Sequence, residues 1–164
     1  HSDRVADICE KIAFNMNFNQ EDIQQIKLAA VLHDIGKIGI NDSILNKNGK
    51  LDTVEWEEMK KHSEIGYRIL SSVSEFSEIA EYVLRHQERW DGNGYPDNLK
   101  GEEIPVQARI IAIADAFDAM TVKRSYRDAM SEIEAVSEIK KYSGTQFDPE
   151  IARIFVEKVI NLPW

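Results

Sequence analysis

The stretch Leu32-His33-Asp34-Ile35-Gly36-Lys37 decides how the rest of the chain is interpreted. It follows apolar residues at helical spacing, which predicts that His33 and Asp34 lie in the last turn of a helix, with Gly36 as its C-cap glycine. A carboxylate there faces the negative end of the helix dipole, which costs a few tenths of a kcal/mol or more. Burying the carboxylate without a partner would cost far more than that. A positive partner is therefore expected for Asp34, and the adjacent imidazole suggests a metal ion. The dipeptide alone is better explained as a capping carboxylate beside a core histidine.

The composition is that of one ordinary globular domain spanning residues 1–164. Hydrophobic residues make up 43% and charged residues 30% of the 164 positions, which is enough for a full core. Apolar runs such as Ile110 to Ala114 are far too short to span a bilayer, so no membrane segment is expected. No signal peptide is visible, and a single cysteine, Cys9, fits a reducing compartment. A cytoplasmic location is predicted.

The net charge of −9 bears on the partners of the chain. A field of that sign repels polymeric nucleic acid, which usually needs a basic face. It allows a small phosphate ligand, provided that metal ions or local basic side chains reverse the field at the site. The densest basic cluster runs from Lys123 to Arg127, and on its own it is most simply a solvated face.

Hydrophobic periodicity predicts an all-α fold, a single compact bundle of about seven helices. Asp52 and Glu55 form a capping-box pattern, and a helix with Trp56, Gly66 and Leu70 on its apolar stripe is expected to follow. Gly66 would allow another backbone to approach closely. Residues 91–105 form one long irregular loop, which in a compact helical domain is often functional, although a rigid surface turn would look the same.

Polar residues that share an apolar helical context are the candidates for a metal site. These residues are His1, His33, His62, His86, Asp34 and Asp115. Each lies on or near the inward, apolar stripe of a predicted helix, and each alone is better explained as a core residue. Imidazole and carboxylate ligands without thiolate suit Fe, Mn or Zn, and Mn or Fe in an open, carboxylate-rich site. A central Asp34 would bridge two ions about 3.5–4 Å apart, as in phosphoester hydrolysis.

Three motifs in this order resemble the HD-GYP domain, a subgroup of the HD-type metal phosphohydrolases that includes cyclic di-GMP phosphodiesterases. They are the pair His33-Asp34, the run Arg89-Trp90-Asp91-Gly92-Asn93-Gly94-Tyr95-Pro96 and the run Asp115-Ala116-Phe117-Asp118-Ala119-Met120-Thr121. The resemblance covers nearly the whole chain, from residue 1 to residue 149. The pair alone would be weakly specific. The ordered set is strongly specific, because it includes the long loop of residues 91–105 that carries Gly94-Tyr95-Pro96, here called the GYP loop.

The resemblance implies a helical bundle holding two divalent ions, commonly iron or manganese, with a third in some members. Carried over by motif, the ligands of the basic HD site are His1, His33, Asp34 and Asp115, and those of a second ion are His62 and His86, with Asp34 bridging. Lys37 resembles the lysine that contacts the scissile phosphate. Tyr95, Arg124 and Arg127 resemble residues that hold the dinucleotide, where a guanine can stack and a phosphate can pair with an arginine fork.

Two departures from the family pattern concern the metal ions. The family usually has a His-His doublet where this chain has His86-Gln87, and a neutral amide is a much poorer ligand than an imidazole. Gln87 therefore puts the second or any third ion in doubt. Members with more metals also carry a Glu one turn before the first histidine, a position that would precede residue 1.

The leading hypothesis is metal-dependent hydrolysis of cyclic di-GMP to pGpG, with onward hydrolysis to GMP left open. A hydroxide between the ions would attack phosphorus, with Asp34 and Lys37 as catalytic residues and Arg124 and Arg127 neutralising charge. The alternative is a degenerate domain that binds a cyclic dinucleotide or a partner protein without turnover. A third hypothesis is that the domain is an HD phosphohydrolase whose substrate is another cyclic dinucleotide or a nucleotide.

The chain opens with His1 and has no sensor module of its own. Together with the resemblance, this start predicts a longer regulatory protein with an N-terminal sensor or receiver domain. Whether the chain forms a homodimer is left open.

Overall fold

The computed structural model describes residues 1–124 and 127–164, and every regular element in these two ranges is helical, which confirms the all-α fold class. The α-helices are α1 (Ser2–Asn15), α2 (Gln20–Leu32), α3 (Asp42–Leu45), α4 (Thr53–Lys60), α5 (His62–Ser71), α6 (Ser77–Arg85), α7 (Val106–Thr121), α8 (Glu132–Lys141) and α9 (Pro149–Ile154). Short 3₁₀ turns lie at Ile35–Gly39, Ser74–Phe76 and Gly101–Glu103, and a π-helical turn at Phe155–Val159 continues α9.

The core lies between α1, α2 and α7, with α6 packed against α2 and α5. Ile12, Ile26 and Ile110 are among its fully buried side chains, one from each of the three central helices. This packing brings the start of α1, the end of α2 and the middle of α7 together. No helix within the two described ranges is both long and apolar enough to cross a membrane.

Gly36 does not cap α2, so that expectation was wrong. The helix ends at Leu32 with His33 as its C-cap, and Gly36 lies inside the following 3₁₀ turn without a positive φ. A Cβ atom on Gly36 would lie 1.7 Å from the carbonyl oxygen of His62 and 2.6 Å from the backbone nitrogen of Gly66. Glycine is therefore required because the backbone of α5 passes directly against this turn, the close approach expected at Gly66.

The helix predicted after Asp52 is in fact two helices, with a break at Lys61. The capping box of Asp52 and Glu55 is present at the start of α4. No residue of α4 is buried, whereas α5 buries four residues, namely His62, Ser63, Gly66 and Leu70. The break thus removes Trp56 from the core stripe on which the sequence spacing had placed it.

Candidate metal centre

The six residues predicted as ligands meet at one place. They form two groups, His1 with His33 and Asp115, and Asp34 with His62 and His86, and in each group the ligand atoms lie within 4.8 Å of one another. Asp34 joins the groups, because its Oδ2 is 3.3 Å from Nε2 of His33 while its Oδ1 is 4.0 Å from Nε2 of His62. The predicted convergence of these side chains is therefore present in the structure.

Three of the imidazoles are buried and held in the same way. The Nδ1 atoms of His33, His62 and His86 lie 2.5, 2.8 and 2.5 Å from the carbonyl oxygen three residues earlier, that of Ala30, Met59 and Val83 respectively. Each Nδ1–H donates to its carbonyl, which leaves Nε2 as the ring atom that faces the cluster. All three Nε2 atoms are buried without a hydrogen-bond partner among the described residues. Buried polar atoms are rarely unsatisfied, so a cation fits this donor set.

His1 is held differently. It directly precedes α1, its side chain is 29% exposed, and its Nε2 lies 3.0 Å from Oδ1 of Asp115. Its Nδ1 donates to Oδ2 of Asp118 at 2.5 Å, and Oδ1 of Asp118 accepts a hydrogen bond from Nε of Arg4 at 2.8 Å. Asp118 therefore orients His1, a role that the sequence analysis missed. The available signal was its position one turn beyond Asp115 on the buried face of α7.

The pKa values follow from burial opposed by close charges. Burial lowers the pKa of His33, but Asp115 and Asp34 outweigh it and raise this pKa to about 10. Burial also disfavours ionised Asp34 and Asp115, yet the histidine contacts hold the pKa of both carboxyls well below the ordinary range. Burial, together with the other imidazoles, lowers the pKa of His86 to about 4. The carboxylates are thus ionised at neutral pH, and a bound cation would replace the proton on His33.

Lys37 stands next to the cluster. It belongs to the 3₁₀ turn that follows α2, and its Nζ lies 3.3 Å from Oδ2 of Asp34. The ammonium group is partly exposed, so an anionic ligand that reaches Asp34 would also meet Lys37.

The GYP loop folds back onto the end of α6. A Cβ atom on Gly94 would lie 2.4 Å from the backbone nitrogen of Arg89, so only glycine fits there. The backbone N–H of Tyr95 donates to the carbonyl of Gln87 at 3.3 Å. The buried carboxylate of Glu88 accepts the backbone N–H groups of Asp97 and Leu99 at 2.9 and 3.0 Å. These contacts place the ring of Tyr95 6.3 Å, centroid to centroid, from that of His62.

A cavity of about 510 Å³ opens beside the cluster. Its walls include His86 and Asp115 of the cluster, Gln87, Tyr95 of the GYP loop, and Trp56 of α4. Gln87 therefore sits at the cavity beside His86, where the family pattern has a second imidazole. The cavity is large enough for a nucleotide-sized ligand next to the candidate metal centre.

The structure does not bring Arg124 and Arg127 to this cavity. They pair with each other through backbone hydrogen bonds of 3.1 and 3.3 Å, and the guanidinium group of Arg127 donates to the carbonyl of Ala119. Neither residue lines the cavity. The residues between them, Ser125 and Tyr126, lie outside the described ranges. The predicted contact of Arg124 and Arg127 with the dinucleotide stays a prediction.

Residues 1–151 match the family described as HD domain, and the chain belongs to this family. It is 46% identical over 159 residues to a cyclic di-GMP phosphodiesterase of Thermotoga maritima, and 43% identical over 159 residues to 3'3'-cGAMP-specific phosphodiesterase 2 of Vibrio cholerae. Both alignments cover 96% of this chain, but only 43% and 30% of the respective relatives. The chain thus spans less than half the length of either protein.

The fold is also that of a solved HD-GYP protein. Bd1817, described as an HDG"Y"P protein from Bdellovibrio bacteriovorus, superposes with a TM-score of 0.77 at 18% identity, over 98% of this chain and 51% of that one. The family match and the two curated relatives confirm the family that the resemblance indicated, and this solved structure confirms its fold.

Proposed function

We propose that this domain is a metal-dependent phosphodiesterase that hydrolyses cyclic di-GMP to pGpG, with further cleavage to GMP left open. One observation carries the proposal: three buried imidazole Nε2 atoms, which form no hydrogen bond within the described part of the chain, face two ionised carboxylates at the edge of a nucleotide-sized cavity. The relatives named as cyclic dinucleotide phosphodiesterases support the substrate class.

The chain offers ligands for two divalent ions. His1, His33 and Asp115 would hold one ion, His62 and His86 the other, and Asp34 would bridge them. Imidazoles and carboxylates without thiolate fit Fe or Mn. When bound, such ions supply Lewis acidity at the phosphate and lower the pKa of water beside it. Gln87 offers only a neutral amide, so a third ion lacks the imidazole that the family pattern provides.

Lys37 is the proposed phosphate contact. Its Nζ, 3.3 Å from Oδ2 of Asp34, carries a positive charge at the place where a phosphate would approach the bridging carboxylate. It neutralises the charge that develops on the phosphate and can donate a proton to the leaving oxygen. Tyr95 forms the adjoining wall and holds the dinucleotide, with Arg124 and Arg127 as further proposed phosphate contacts.

Turnover of cyclic di-GMP by protein loaded with Mn²⁺ or Fe²⁺ without oxygen tests the proposal. We expect Asp34→Ala to abolish hydrolysis and Lys37→Ala to lower kcat by about 10²–10³-fold, since it removes a donor aimed at developing charge. Lys50→Ala, an exposed lysine outside the cavity, is the matched control and should leave kcat unchanged. Metal-replete protein that leaves cyclic di-GMP intact, as its Asp34→Ala variant does, would overturn the proposal.

A binding module without turnover is the second candidate, and the position of Gln87 at the cavity favours it. Fewer than two ions per chain in anaerobically purified protein, with cyclic di-GMP bound but not cleaved, is the result expected of such a module. Gain of hydrolysis in Gln87→His would then identify the missing imidazole as the cause. Full activity with Gln87 in place would exclude this candidate.

We also infer that the domain is the output end of a longer cytoplasmic regulatory protein, because its relatives are more than twice as long. A sensor or receiver module N-terminal to it would then control hydrolysis. Comparing turnover by the full-length protein with turnover by this domain tests the inference, and identical rates under all input conditions would contradict it.

A further inference from the structure

Helix α4 lies on the surface of the protein and borders the cavity. None of its residues is buried, yet two of its side chains, Trp56 and Lys60, line the cavity one helical turn apart. Trp56 is 45% exposed. A tryptophan that served mainly to stabilise the fold would bury far more of its large apolar surface. Trp56 therefore contributes little to the core and presents its ring at the cavity.

The surroundings of Trp56 suit an aromatic ligand. Its ring meets that of Tyr95 edge to face, with centroids 6.0 Å apart, which fixes the orientation of the indole. Nζ of Lys60, which also pairs with Oε1 of Glu57 at 2.8 Å, lies 5.9 Å from the centroid of Tyr95, so a cation borders that ring. Aromatic rings beside a cation are the usual platform on which proteins stack nucleic-acid bases.

The cavity connects this platform to the candidate metal centre. His86 and Asp115 line it together with Trp56, so one ligand can reach both places. A nucleotide matches this arrangement, because its phosphate binds cations and its base stacks on an aromatic face.

We propose that Trp56 is the surface on which one purine of a cyclic dinucleotide stacks, with Tyr95 fixing the indole and Lys60 completing the subsite. The inference rests on the proposed function, in that the ligand is a cyclic dinucleotide. Stacking uses the π face that guanine and adenine share, so this subsite selects purine dinucleotides over phosphodiesters without a base, and it does not separate guanine from adenine.

Binding of hydrolysis-resistant bis-phosphorothioate analogues of cyclic di-GMP and 3'3'-cGAMP to the manganese-loaded protein tests the subsite. We expect Trp56→Ala to weaken both analogues about tenfold or more, by similar factors. Trp56→Phe should keep most of the affinity but lose the ligand-induced quench of tryptophan fluorescence. Binding of inorganic phosphate, which has no base, should be unchanged in Trp56→Ala.

Val54→Ala is the matched control, since Val54 lies on the same helix, is 75% exposed and does not line the cavity. An affinity within twofold of wild type in Trp56→Ala, or a quench that persists in Trp56→Phe, would overturn the inference. Equal loss of analogue and phosphate binding would also overturn it, because the role of Trp56 would then be structural. Since the analogues report binding alone, absence of turnover would count against the proposed function and leave the Trp56 test intact.

Discussion

Nδ1 of His1 lies 2.5 Å from Oδ2 of Asp118, so a carboxylate of α7 orients the candidate metal ligand that precedes α1. The three other histidines of the cluster are oriented by carbonyl oxygens of their own chain segments. The His1 group therefore depends on a side chain that can be altered, whereas the imidazoles of the Asp34 group depend on backbone. This difference allows the two proposed ions to be separated by mutation.

Replacing Asp118 with Ala is expected to lower metal affinity at the group of His1, His33 and Asp115 by about 10–100-fold, because the imidazole loses the partner that fixes its ring. The group of Asp34, His62 and His86 should keep its ion. Titration of metal-free protein with Mn²⁺, followed by calorimetry, measures the two affinities separately. Asp118→Asn retains an acceptor for Nδ1–H and should show a smaller loss.

Asp7→Ala is the control for this experiment, since Asp7 is an exposed carboxylate on α1. Equal weakening of both ions in Asp118→Ala, or no weakening of either, would contradict the assigned role of Asp118.

Gly36→Ala is expected to destabilise the protein by at least about 3 kcal/mol, because its Cβ would collide with the backbone of His62 and force α5 away from the turn. Gly39→Ala is a milder comparison, since the nearest atoms to a Cβ there are side-chain atoms of Ile65, at 3.0 and 3.1 Å, and not backbone. Urea denaturation measures the free energy of unfolding of both variants. Equal stability of the two would show that the turn does not press against α5.

Glu88→Ala is expected to lower the free energy of opening the GYP loop by about 1–3 kcal/mol, because the backbone N–H groups of Asp97 and Leu99 lose their acceptor. Faster hydrogen exchange of these two amides would report the change directly. Glu102→Ala, an exposed carboxylate in the same loop, should leave exchange at both amides unaltered. Unchanged exchange in Glu88→Ala would mean that this carboxylate does not hold the loop.

The sequence was sufficient to predict the fold class, since apolar spacing and capping residues are local signals. Two predictions at helix ends failed for physical reasons. Gly36 looked like a cap, but the cause of the glycine is a backbone distant in sequence, which no local pattern contains. The break at Lys61 leaves the apolar spacing intact, so periodicity alone carried the predicted helix across it.

The convergence of the candidate ligands could be predicted because polar residues stood in apolar surroundings. His33 and Asp34 were chemically unusual at the end of an apolar helix, and that conflict indicated a cluster. Asp118 was missed because its role depends on Arg4 and His1, which only the packing of α1 on α7 brings to it. Trp56 was assigned to the core because spacing reports a shared face and not whether a neighbour covers that face.

Removal of metal should lower the thermal stability of the wild-type protein. An ion that binds only the folded state adds about 2.7 kcal/mol when its free concentration is 100 times its Kd, and a chelator withdraws this contribution. Differential scanning fluorimetry with and without the chelator measures the shift in Tm. Asp34→Ala, which lacks the proposed bridge, should shift far less, and equal shifts in both proteins would contradict the bridging role.

The number of metal ions per chain in protein purified without oxygen tests the central claim most directly. Elemental analysis should find two ions of iron or manganese per folded wild-type chain, and fewer in Asp34→Ala, because the shared carboxylate joins the two groups. Folded wild-type protein that remains free of metal after incubation with excess Fe²⁺ or Mn²⁺ would contradict the account.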